Sequence, residues 1–228
     1  MIAKKGKFTL GLAMLVAFFV VLFIFFSPIF AGQNGLEYLD ALYNSISKGS
    51  AYYIPYAKEQ AGQLAKMAID VSLELQSEEM AIQAAALFTG SGASAQPSGA
   101  SLNVSGDLSR ILETSLADAD SMYANDGAAI STKYQMDERA VMYNWWNALA
   151  AMENSLKTQA KFKAAKVVDL VRTKAVETAY NYYKIEPQKI GDKIGVVIFS
   201  LIFYVIYTLW YGFAIMYLFE GWGMQLEH

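Results

Sequence analysis

The chain has 228 residues, 55% hydrophobic and 17% charged, with 18 Lys and Arg against 21 Asp and Glu. It is too apolar for an ordinary soluble domain and too charged for a pure membrane bundle, so the average hides two kinds of segment. The net charge of −3 offers no basic field for nucleic-acid phosphates. Without cysteine, and with His228 as the single histidine, the chain has no disulfides, thiol nucleophiles, Cys- or His-built zinc sites, iron–sulfur clusters, bis-His haem or Ser-His-Asp triads.

Residues 8–31 are expected to form a first transmembrane helix. An apolar run from 8 to 30 follows Lys4, Lys5 and Lys7, and at ~1.5 Å per residue it can cross a ~30 Å hydrocarbon layer. A cleaved signal peptide shares the basic start and the apolar stretch. This run, however, exceeds the ~7–15 residues of a signal core, and cleavage after Ala31 would put bulky Ile29 where a small residue is wanted. An uncleaved anchor is therefore expected.

Residues 33–48 place Leu36, Leu39, Leu42, Tyr43 and Ile46 at helical spacing before Gly49, which predicts a membrane-proximal amphipathic helix. Tyr52, Tyr53, Pro55 and Tyr56 read as an aromatic turn.

Residues 50–127 are expected to be a small α+β domain of order β-α-β-β-α. Ile69, Val71, Leu73 and Leu75 alternate with polar residues as in a half-buried strand, and Ser77 opens an alanine-rich helix that Gly90 and Gly92 end. A hairpin then turns at Pro97-Ser98-Gly99, with Leu102 and Val104 alternating in its second strand, and Asp107 caps a helix running to about Asn125. The Gly/Ser/Ala content of 90–101 also allows a disordered linker.

Residues 136–186 contain no glycine or proline before Lys184 and read as one long helix or as a helical hairpin folding within 157–163. The adjacent Trp145 and Trp146 point about 100° apart on a helix, so one faces the core and the other a second contact surface. Pro187 marks the joint with the next segment.

Residues 194–219 are free of charge and are expected to form a second transmembrane helix, with Tyr217, Phe219 and Trp222 at headgroup level. Within it Ser200, Tyr204, Tyr207, Thr208 and Tyr211 fall along one helical face, with Gly212 beside its end. Hydroxyls in hydrocarbon need partners and small residues let helices approach, so this face is expected to meet protein rather than lipid. The Leu226-Glu227-His228 ending resembles the start of an expression tag and is read as native.

Two spans put both termini on one side. Lys4, Lys5 and Lys7 favour a cytoplasmic N-terminus, whereas Lys184, Lys189 and Lys193 argue the reverse; the first helix usually dominates. The expectation is a bacterial inner-membrane protein with both termini cytoplasmic and the domain outside. The sequon at Asn103-Val104-Ser105 adds nothing to that.

Asp118, Asp120, Asn125, Asp126, Asp137 and Glu138 form the densest acidic region, but their spacing does not fit a Ca²⁺ loop and reads as solvated helix ends. Gly90, Gly92 and Gly99 fit no phosphate-binding loop. No catalytic residue, cofactor, metal or nucleic acid is expected. The expected function is a non-catalytic, membrane-anchored structural or accessory subunit. It would assemble through its spans as a homo-oligomer or within a larger membrane complex, in contact with membrane lipid, and present an extracytoplasmic domain. One alternative is an oligomeric pore or transport component, weakened by spans without charge. The other is the ligand-binding input module of a sensor, which would need a separate signalling partner.

Overall fold

The computed structural model describes residues 2–30 and 32–224, so Ala31 and the Leu226-Glu227-His228 ending lie outside the described residues. The chain forms two compact units, one built from 1–49 with 187–228 and the other from 50–186.

In the first unit two long apolar helices, α1 (Lys5–Phe25) and α10 (Ile190–Trp222), pack antiparallel. Helix α1 starts before and stops short of the expected 8–31. Pro28 disfavours helical geometry in the residue ahead of it, and the Ser27 hydroxyl takes up the Phe23 carbonyl at 2.7 Å. Helix α10 extends beyond the expected 194–219 at both ends and, with 33 residues, is ~50 Å long. It stops at Gly223, whose φ of +90° suits glycine, with the Met224 N–H bonded back to the Phe219 carbonyl. Between them lies α2 (Gly35–Ser50). Its start is fixed by a reciprocal cap, the Glu37 N–H donating to Asn34 Oδ1 and the Asn34 N–H to Glu37 Oε2.

The second unit is α+β. Strands β1 (Ala68–Glu74), β2 (Ser94–Ser98) and β3 (Ser101–Asp107) form an antiparallel sheet in the order β1-β3-β2. Ile69, Val71 and Leu73 are buried on one face of β1, and the last two sit opposite Val104 and Leu102 of β3. Segment 94–98 is thus an edge strand rather than a linker. Its turn is the two-residue Gly99-Ala100, with φ +60° at Gly99, and not Pro97-Ser98-Gly99. Pro97 lies within β2, tolerable because an edge strand does not need every N–H. Helices α4 (Glu78–Gly90) and α5 (Leu108–Tyr123) start where Ser77 and Asp107 accept backbone N–H bonds from Met80 and Ser109.

The tyrosine-rich stretch departs from the expected turn. Tyr53 precedes α3 (Ile54–Gly62), and Pro55 falls in the first turn, where no helical N–H bond is lost. Residues 136–186 fold back as a hairpin. Helix α7 (Glu138–Thr158) is followed, through Ala160 at φ +57°, by α8 (Phe162–Val171), a π-helical turn (Arg172–Val176) and α9 (Glu177–Asn181). A short α6 (Gly127–Tyr134) precedes α7. One core unites the sheet and this hairpin: Leu73, Phe88, Leu102, Leu112, Trp145, Leu149, Val168 and Val176 are all fully buried in it.

Candidate functional site

The two apolar helices meet along a seam. On α10 the residues Phe203, Tyr207, Trp210, Ala214, Tyr217 and Gly221 are spaced alternately by four and three, the interval that keeps one stripe facing a partner helix. Phe203 stacks on Phe25 at 6.0 Å, Tyr207 on Phe18 at 4.4 Å, and the Trp210 indole N–H donates to the Met14 carbonyl at 3.1 Å. Further along, side chains give way to backbone. A Cβ on Gly11 would lie 2.7 Å from the Leu218 nitrogen, and one on Gly221 would lie 2.6 Å from the Phe8 Cα. Only glycine permits such approach, which sets backbone against backbone in dispersion contact. Lys7 and Glu220 form an ion pair beside this close contact.

The expected hydroxyl face of α10 divides. The Ser200 hydroxyl donates to the Val197 carbonyl at 2.8 Å, so its contact with Tyr43 of α2, at 2.6 Å, is one in which Tyr43 donates. Tyr207 lies against Phe18, and Tyr211 tilts over the same ring at 5.1 Å while remaining exposed on its other side. Tyr204, 67% exposed, turns outward. Thr208 is exposed too and satisfies its hydroxyl on the Tyr204 carbonyl, and nothing lies within 4 Å of a Cβ built on Gly212. Tyr204, Thr208 and Gly212 therefore make an outward stripe at i, i+4 and i+8, whereas Ser200 and Tyr207 are spent within the chain. Sequence reasoning missed the α1 half of the seam. The signal was present as Gly11, Phe18 and Phe25, each one heptad after the last in a run apolar on every side.

The acidic residues of the second unit disperse into structural roles. Asp118 is buried and accepts bonds from the Lys133 ammonium, the Tyr134 hydroxyl and the Trp145 indole at 2.7, 2.6 and 2.9 Å. Burial and then the bond to Asp118 hold the Tyr134 hydroxyl protonated far above its ordinary range. Asp120 takes Tyr52 and Lys58, Asp126 and Asp137 cap α6 and α7, and Asn125 binds the Ile185 carbonyl and the Lys184 N–H. Glu138 is held at a pKa of about 2 by its own backbone N–H at the start of α7, by the Ser131 and Tyr183 hydroxyls and by the charge of Lys184. Among the described residues no three Asp, Glu, His or Cys side chains come together as a metal site would require.

Trp145 and Trp146 separate as their spacing requires. Trp145 is fully buried, edge-on to Phe88, whereas Trp146 donates to Glu177 at 2.9 Å and lies under the Arg172 guanidinium at 5.1 Å. With Met142, Tyr143, Tyr180 and Asn181, Trp146 and Glu177 line a cavity of about 290 Å³ beside the π-helical turn.

Comparison with known protein families, curated proteins and solved structures finds no match to this chain.

Proposed function

We propose that the chain is a membrane-anchored, non-catalytic subunit whose two apolar helices cross the bilayer as a closed hairpin and whose α+β unit stands outside the cytoplasm. The observation that carries the reading is how little of either helix the rest of the chain covers: 11% of the most apolar window of each is buried. Phe23, Phe199 and Leu201 are 76%, 67% and 58% exposed, an apolar surface that water would not tolerate and that acyl chains satisfy. A soluble core helix would bury such residues. A cleaved leader fits poorly, since losing α1 would strip Gly221, Ala214 and Tyr207 of the surface they pack on.

Assembly follows from the outward stripe of α10. Thr208 and Gly212 lie four apart, with Tyr204 one turn before them, which offers close backbone approach and a hydroxyl donor to another membrane helix, whether of a second copy or of a larger complex.

The test is purification of the intact chain in mild detergent with mass determination by light scattering. The wild type is expected in an assembly larger than a monomer, with Tyr204→Leu, Thr208→Leu and Gly212→Leu together releasing monomer without loss of helical circular dichroism. A monomeric wild type that copurifies with nothing overturns the assembly reading, and extraction of the chain from membranes by alkaline carbonate overturns the membrane reading.

A further inference from the structure

Two cavities of the first unit adjoin at Tyr38. The larger, about 430 Å³, lies between α1, α2 and α10, and Val21, Ile24, Leu39, Val196 and Phe199 make its walls almost wholly apolar. Its volume falls in the ~300–1,000 Å³ range of small-molecule clefts. The smaller, about 160 Å³, is of mixed character, with Gln33, Tyr38, Gln188 and the half-buried Lys193 on its lining beside Ala41 and Leu42. Tyr38 lines both, its ring stacked on Phe30 at 5.8 Å, and the Gln188 backbone is tied to α2 by its N–H donating to the Ser45 carbonyl at 3.0 Å.

An apolar slot adjoining a niche lined by Lys193, Gln33 and Gln188 matches an amphiphile with a hydrocarbon tail and an anionic, hydrogen-bonding head. The neighbouring carboxylate, Asp192, is exposed and does not line the niche. Lys193 also sits in the first turn of α10, ahead of the charge-free stretch, at the depth where phospholipid headgroups lie if α10 crosses the bilayer.

We propose that this pair of cavities is a binding site for an anionic phospholipid, one acyl chain occupying the slot between α1, α2 and α10 and the phosphate region meeting Lys193, Gln33 and Gln188. The site rests on the membrane reading above. It would make a lipid part of the hairpin's structure at the end where α2 joins α1 and α10.

The intact chain, reconstituted in nanodiscs of mixed phosphatidylglycerol and phosphatidylcholine and released for native mass spectrometry, is expected to retain phosphatidylglycerol in preference to phosphatidylcholine. Lys193→Gln should reduce that preference about fivefold, the effect of one basic residue at a membrane surface. Val196→Trp, which fills the slot, should lower retention of both lipids. Equal retention of the two lipids by the wild type, an unchanged preference in Lys193→Gln, or undiminished retention in Val196→Trp each overturns the site. A chain that carbonate extracts from membranes overturns the membrane reading instead, so the two failures are distinguishable.

Discussion

Asp118 draws its three donors from α6 and α7 onto a carboxylate of α5 that water scarcely reaches. Asp118→Ala removes the carboxylate acceptor that the Trp145 N–H and the Tyr134 O–H share, and should destabilise the unit by about 2–4 kcal/mol, read as a lowered thermal midpoint by near-ultraviolet circular dichroism. Glu138 works through its charge. Its folded pKa of about 2 lies below the ordinary 4.5, so the stability it contributes is complete above pH 4.5 and fades as pH falls towards 2. The Glu138→Gln variant should therefore lose less stability than the wild type between pH 4.5 and 2, measured by thermal midpoints across that window. Both residues belonged to one acidic cluster in the sequence. Their spacing could not reveal that one turns inward and the other binds hydroxyls from elements up to 45 positions away.

Among the elements, those with period and punctuation in the sequence form nearly where expected: β1 from its alternation, α4 and α5 from their caps, and α2 from its apolar spacing. The short α3 and α6 were not legible, because eight or nine residues carry too few periodic positions and α3 begins with residues that also favour turns. The α1–α10 pair was hidden for another reason: in a segment apolar all round, the packed stripe has no contrast with its surroundings. That pairing predicts a sharp sensitivity. Gly11→Leu forces a side chain into the backbone of α10 at 218 and should cost about 1–3 kcal/mol of hairpin stability. Spin labels at the exposed Leu12 and Phe213 should then report a longer and broader distance distribution than in the unsubstituted hairpin.

For the whole molecule, the proposed topology sets the α+β unit outside the cytoplasm and both chain ends inside. Because the sequence has no cysteine, single introduced thiols report on an empty background. Asn103→Cys, on the exposed face of β3, should react with a membrane-impermeant maleimide on intact cells, whereas Ala3→Cys should react only after permeabilisation. The opposite pattern would mean that Lys184, Lys189 and Lys193 outweigh the N-terminal lysines in setting orientation.

Hydropathy and period along the sequence determined that two apolar helices bracket a more polar α+β unit, because burial is written residue by residue in them. The tertiary structure decided what those residues face. It folded 136–186 back at Ala160 to complete one core with the sheet, and it divided the α10 hydroxyl face into an inward part held by Phe18 and Tyr43 and an outward part at Tyr204, Thr208 and Gly212. Such choices depend on contacts between positions far apart in the chain, and a helix apolar on every side does not state which of its faces will meet its neighbour.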